Sequence, residues 1–247
     1  MTLLEVSSLN AGYGKSPILF DLSLEVSKES ISAILGPNGS GKSTLLKSIF
    51  GLTTIYNGSI NFNGNDITGM KPYEIARLGM AYLPQVENTY LNLNVRENLL
   101  MAGYILSKEE TNARMQEVLD FLPVLKGFLE KKVLTLSGGE RQMAIMAMAL
   151  MRRPALMLFD EPSASLASKV ADKIFEKIKE LNRDFGMTIV IVEQDTRRAL
   201  EISDESYLLV SGKVNFHGKS KELAENAELG RLFLGLRSHI QDKRVSV

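Results

Sequence analysis

Residues 31–44 read Ile-Ser-Ala-Ile-Leu-Gly-Pro-Asn-Gly-Ser-Gly-Lys-Ser-Thr, and the Leu-Leu-Lys-Ser-Ile-Phe that follows has helical character. Ile31, Ala33, Ile34 and Leu35 make a short apolar, β-leaning run that stops at Gly36. Strand, glycine-rich loop and helix, in that order, is the setting in which G-x-x-x-x-G-K-[ST] cradles a polyphosphate. Gly36, Gly39 and Gly41 let the backbone curl so that successive N–H groups converge, and the helix adds its positive end. Lys42 can reach the terminal phosphates, and the Ser43 hydroxyl can ligate Mg²⁺. A glycine-rich turn that merely ended a strand would not account for the full motif and its flanks. The stretch points to a nucleoside triphosphate.

The rest of the composition limits the alternatives. The chain has 247 residues, 45% of them hydrophobic, which is ample for a core. Lys+Arg and Asp+Glu both number 29, so the formal net charge is zero and no global basic field exists to hold nucleic acid. There is no cysteine, which removes disulfides and cysteine-ligated zinc. Met-Thr-Leu-Leu-Glu-Val at the start lacks the charged, apolar and cleavage regions of a signal peptide. The longest apolar run, Met143 to Met151, is far short of a bilayer span. A soluble chain is expected, with any membrane role arriving through a partner.

Outward from the loop, Leu3–Val6 and Leu22–Val26 alternate like strands around a polar, glycine-containing stretch that holds Tyr13. Ser59–Phe62 is bracketed by Asn-Gly turns. Together these predict a small antiparallel sheet beside the loop. On position alone, Tyr13 would be a surface aromatic. Met80–Leu83 is a short apolar run broken by Pro84, with Gln85 next. From Asn94 to Met151 the character is helical: Val95–Tyr104, Lys108–Leu122 and a Met- and Ala-rich segment from Glu140. That methionine run reads as packing, since Met fills irregular cores. Lys169–Leu181 is amphipathic, Thr188–Val192 is a buried strand, Tyr207–Phe216 is a hairpin, and Glu222–Leu236 looks helical. His217 and His239 stand alone, without metal-ligand spacing.

Two further stretches carry chemistry. Thr135–Gln142 contains Ser137, Gly138, Gly139 and Glu140 ahead of a helical pattern, as in a capping box. Two glycines in a first turn are costly for a cap alone, and suit a backbone that must approach an anion closely. Ala155–Phe159 is a fully apolar strand ending in Asp160-Glu161-Pro162, which puts two carboxylates at the ligand edge of an open α/β sheet. Asp160 can hold Mg²⁺ and Glu161 can take a proton from an attacking water.

With these pieces quoted, the chain closely resembles the ATP-binding subunit of ABC transporters, from about Leu3 to Leu236. Gly36, Pro37, Asn38, Gly39, Ser40, Gly41, Lys42, Ser43 and Thr44 match Walker A, and Pro84-Gln85 the Q-loop. Leu136–Gln142 matches the ABC signature, Leu156–Glu161 Walker B, and Val192–Asp195 the switch loop. The resemblance implies an α/β P-loop NTPase fold with a mainly parallel core sheet, a small antiparallel β subdomain and a helical subdomain. It places one ATP-binding domain at 2–236 (core 1–84 and 152–236, helical subdomain about 86–151), followed by a polar tail at 237–247. It also makes Tyr13 an aromatic that stacks on adenine, reversing the positional reading. Glu161, Gln194 and Lys42 become catalytic, and Ser43, Gln85 and Asp160 become Mg²⁺ ligands. Ser137, Gly138, Gly139 and Glu140 would face the ATP of an opposite subunit. The implied partners are two transmembrane permease subunits at the cytoplasmic face of the cell membrane, a second ATP-binding subunit (a sister or itself) in a head-to-tail dimer, and, indirectly, a solute-binding protein.

Two departures narrow the resemblance. The usual switch histidine is Gln194, which can donate an N–H but cannot become cationic. The usual D-loop aspartate is Ala167. Together with Leu229–Gly235, these look most like the second ATP-binding subunit of branched-chain amino acid importers. A lipid or lipopolysaccharide exporter subunit is the nearest rival, although its members usually keep the histidine. A non-hydrolysing regulatory subunit is a further alternative, opposed by Glu161. A DNA- or ribosome-acting ATPase is disfavoured by neutral charge, a single cassette and ordinary spacing from Lys42 to Ser137.

Overall fold

The computed structural model describes residues 1–85 and 89–225. The chain opens with a long hairpin, β1 (Thr2–Tyr13) against β2 (Ser16–Ser27), and then enters β3 (Ile31–Leu35) and α1 (Lys42–Ile49). β4 (Thr54–Phe62), β5 (Asn65–Asp66), α2 (Pro72–Arg77) and β6 (Met80–Leu83) follow. A helical stretch comes next: α3 (Val95–Ala102), α4 (Lys108–Phe121), two 3₁₀ turns and α5 (Gly138–Leu150). β7 (Leu156–Asp160), α6 (Ser168–Phe185), β8 (Thr188–Val192) and α7 (Thr196–Ile202) return to the core, and β9 (Glu205–Val210), β10 (Lys213–Lys219) and α8 (Ser220–Glu225) complete the described residues.

Among the described residues the strands form two sheets. The larger runs β10-β9-β3-β8-β7-β6, parallel throughout except for β10 on its outer edge. The smaller runs β2-β1-β4-β5 and is antiparallel. β3, β7 and β8 are buried at every position, as central parallel strands covered on both faces must be. Their period of two divides the interior. Ile31, Ala33, Leu35, Phe159, Ile189 and Ile191 enter a core shared with the helical stretch and α6. Ile34, Leu158, Val190 and Val192 enter one shared with α1 and the smaller sheet. Neighbouring residues of one strand therefore hold different layers together, and all three strands deliver their C-terminal ends to the same edge.

The structure revises several expectations. The strands predicted at Leu3–Val6 and Leu22–Val26 extend into one hairpin, and the polar stretch between them is paired. Register shifts absorb its irregularity, with Ser8 and Asp21 in left-handed backbone (φ 48° and 47°). Helices α2 and α7, with 6 and 7 residues, were not legible because so few turns display no clear period. Of the helix expected over Glu222–Leu236, only the part to Glu225 is described. Its remainder, Leu229–Gly235, His239 and the tail at 237–247 lie outside the described residues. Among the described residues no helix is long and apolar enough to cross a membrane.

Candidate functional site

The loop between β3 and α1 is open where it needs to be and closed elsewhere. Pro37, Asn38 and Gly39 are exposed, and a Cβ at Gly39 (φ 78°) would meet nothing. At Gly36 a Cβ would fall 2.1 Å from the Leu209 carbonyl oxygen, so this glycine is demanded by β9 rather than by a ligand. Gly41, in left-handed backbone (φ 103°), sits against Leu19 of β2 and turns the chain into α1. Lys42 Nζ donates to the Gly36 and Pro37 carbonyl oxygens at 2.9 and 3.1 Å. Burial lowers its pKa, against the pull of Glu161, Asp160 and Glu193. Thr44 is buried, and its carbonyl accepts the Ser48 hydroxyl within α1 at 2.7 Å.

At the end of β7, Asp160 is only 4% exposed, and both its oxygens are engaged. The Ser43 hydroxyl donates to Oδ1 at 2.8 Å and the Tyr82 hydroxyl to Oδ2 at 2.8 Å. Burial, and then the Asp160 charge, push the Tyr82 phenol far above its usual range. Glu161 breaks from the strand into left-handed backbone (φ 52°), uncommon for a residue with a Cβ. The Val192 carbonyl on β8 accepts its N–H at 2.9 Å and holds it there. Two amides converge on its carboxylate. Gln194 Nε2 donates at 2.8 and 2.9 Å, and Gln85 Nε2 at 3.2 Å. Gln85, expected at the metal, therefore bonds Glu161, as does Gln194, expected to be catalytic.

The N-terminal end of α5 lies apart. Ser137 caps it, accepting from the Glu140 N–H at 3.4 Å, while Glu140 Oε2 accepts the Ser137 N–H and hydroxyl at 2.8 Å. This is the capping box expected from the sequence. Gly138 and Gly139 have a tertiary reason to be bare: a Cβ would come within 2.8 Å of Leu166 and 2.4 Å of Val170. No hydrogen bond among the described residues joins Ser137–Glu140 to the loop at 36–44 or to Asp160. Tyr13, 43% exposed, ends β1 beside the hairpin turn, whose partner strand places Ile18 and Leu19 against Gly41.

The cradle fits a nucleotide with its metal. The Ser40 hydroxyl is buried without a partner, a polar atom left over inside the loop. Ser43 and Asp160 offer oxygen only, the donor set of a hard cation such as Mg²⁺.

The sequence model described as ABC transporter matches residues 19–164. The chain belongs to the ABC transporter family. Two relatives, named for one cargo class, align over almost their whole length. The "Probable branched-chain amino acid transport ATP-binding protein LivF" of Archaeoglobus fulgidus is 50% identical over 95% of this chain and 99% of its own. The "High-affinity branched-chain amino acid transport ATP-binding protein BraG" of Pseudomonas aeruginosa is 37% identical over 94% of this chain and 100% of its own. A solved dimeric ATP-binding cassette in a post-hydrolysis state, bound to ADP and Pi, superposes with a TM-score of 0.77 at 26% identity, covering 88% of this chain and 99% of that one. The chain is an ABC ATPase cassette.

Two residues of this ABC cassette had no role in the sequence reading. Tyr82 lay inside an apolar run and reaches Asp160 across the sheet. Glu193 follows β8 and is buried, accepting the Ser163 N–H at 2.9 Å and the Gln194 N–H at 3.1 Å. It ties the segment after Glu161 to the one that carries Gln194. A carboxylate ending a fully apolar strand, as Asp160 does, was the available signal.

Proposed function

We propose that this cassette hydrolyses ATP to ADP and phosphate to power an importer of branched-chain amino acids. The observation that carries the mechanism is the convergence of Lys42, the Ser43–Asp160 pair and Glu161 at one sheet edge. The curled loop from Gly36 to Thr44 directs its N–H groups at the phosphates, with Lys42 turning from its own carbonyls to the terminal ones. Tyr13 stacks on the adenine. Ser43 and Asp160 would hold a magnesium ion, with Gln85 swinging to join them, and such an ion supplies charge neutralisation at the phosphate oxygens. Glu161 accepts a proton from water as the water oxygen bonds to the γ-phosphorus. The bond from that phosphorus to the bridging oxygen breaks, and ADP leaves with the electron pair.

For this, the amides must leave Glu161, since the oxygens they occupy are those that must face the water. Gln194 would turn from Glu161 to the γ-phosphate as a neutral donor. Ser137, Gly138, Gly139 and Glu140, separate from the loop in one chain, would close over the ATP of a second ATP-binding subunit in head-to-tail pairing. The permeases would dock where Met101 and Tyr104 stand exposed above Tyr82, at the cytoplasmic face of the membrane. The relatives named for branched-chain amino acid transport support that cargo class.

The test is Glu161→Gln. Turnover should fall at least a hundredfold while ATP binding persists, and size-exclusion chromatography should find a dimer in ATP but not in ADP. Undiminished phosphate release would remove Glu161 from the mechanism. A variant that stays monomeric in ATP, with a wild type that does not turn over alone, would assign the second site to a sister subunit.

A further inference from the structure

Tyr82 touches more of the site than any role described so far requires. Its hydroxyl donates to Asp160 Oδ2 at 2.8 Å, on the oxygen that Ser43 does not use. Its ring lies 5.5 Å from that of Phe50, the residue that closes α1, whose first turn carries Lys42 and Ser43. Tyr82 and Phe50 both line a groove of about 290 Å³, together with Met101 and Tyr104 of the helical stretch. Pro84 and Gln85 follow two and three residues further along the chain.

We infer that Tyr82 is a positioning residue for the metal-binding carboxylate: its hydroxyl fixes Asp160 so that Oδ1 stays turned toward Ser43. The inference rests on the proposed role of Ser43 and Asp160. The physical argument is one of satisfaction and freedom. Asp160 is buried, so its second oxygen cannot turn to water, and without a donor it is left unsatisfied. A carboxylate relieved of that donor can rotate and lose its alignment with the hydroxyl opposite. Partners of this kind, one bond removed from a ligand, commonly govern metal affinity by 10- to 100-fold.

The experiment titrates Mg²⁺ into the full chain with a fixed concentration of ATP and follows nucleotide binding, with a parallel measurement in EDTA. In Tyr82→Phe the half-saturating Mg²⁺ concentration should rise about tenfold. Its ATP affinity in EDTA should equal the wild type, and at saturating Mg²⁺ the KM for ATP should be restored. Phe50→Leu disturbs the ring contact but leaves the hydroxyl bond, and should keep the wild-type Mg²⁺ requirement. An unchanged requirement in Tyr82→Phe, or an equal rise in both variants, would overturn the positioning role. Wild-type chain that binds ATP equally with and without Mg²⁺ would instead refute Ser43 and Asp160 as metal ligands.

Discussion

Glu193 sits one residue before Gln194 and is 2% exposed, yet it carries a carboxyl group. Burial raises its pKa above the ordinary 4.5, and hydrogen bonds from the Ser163 hydroxyl and from the N–H groups of Ser163, Gln194 and Asp195 oppose that shift only in part. The sign of the pH effect follows. The folded chain keeps this proton at pH values where the unfolded chain has lost it, so the folded state binds more protons above 4.5. The stability it lends is complete below that value and is lost as pH rises through the raised pKa. Glu193→Gln should therefore flatten the decline in unfolding free energy between pH 4.5 and neutrality, as read from urea melts at several pH values. A slope equal to wild type would place that dependence elsewhere. Asp160 and Glu161 were legible as a pair at a strand end. Glu193 also ends a fully apolar strand, but its tie to Ser163, thirty residues away, is made only by the fold.

At the scale of elements, the first turn of α5 was foreseen for the right boundary and only part of the right reason. Ser137 and Glu140 cap it as the sequence suggests, but the glycines there also make room for α6. A helical Gly→Ala ordinarily gains up to about 1 kcal/mol. Gly139→Ala should instead lose about 1–3 kcal/mol, because its methyl would meet the stiff side chain of Val170 at 2.4 Å. Val170→Ala in the same chain should return most of that loss, and a cycle of urea midpoints decides it. The α6 end of this contact is itself modestly built. Ala167 occupies the N-cap without a side-chain bond, and Arg198 supports the start of the helix instead, reaching Ser168, Asp172 and Asp195.

Over the whole molecule, one face carries the loop at 36–44 with Asp160 and Glu161, and the signature serine belongs to another helix end without a bond to them. If each ATP site is built from two chains, Lys42→Ala and Ser137→Ala should each be inactive alone but recover phosphate release when mixed. The mixed dimer holds one site with an intact Lys42 from one chain and an intact Ser137 from the other. No recovery on mixing would show that the chain does not pair with itself. Of the whole-molecule expectations, the parallel core, the antiparallel sheet and the helical stretch all appear: the family resemblance implied the first, while alternation in β1, β2 and β4 and helical character from Asn94 to Met151 pointed to the other two.

The sequence determined what local chemistry can determine: the phosphate loop between β3 and α1, the paired acids at the end of β7, the cap of α5, and the family. These are contiguous stretches in which neighbouring residues constrain one another through backbone geometry and spacing. Tertiary structure alone decided which donors Asp160 and Glu161 would meet. Tyr82 with Gln85, Ser43 and Gln194 arrive from three different segments, and only the stacking order of β6, β7 and β8 beside α1 brings them together. It likewise decided that Gly36 is bare for Leu209 and Gly139 for Val170. Contacts between residues far apart in sequence leave no periodic trace, because packing responds to shape across layers rather than to order along the chain.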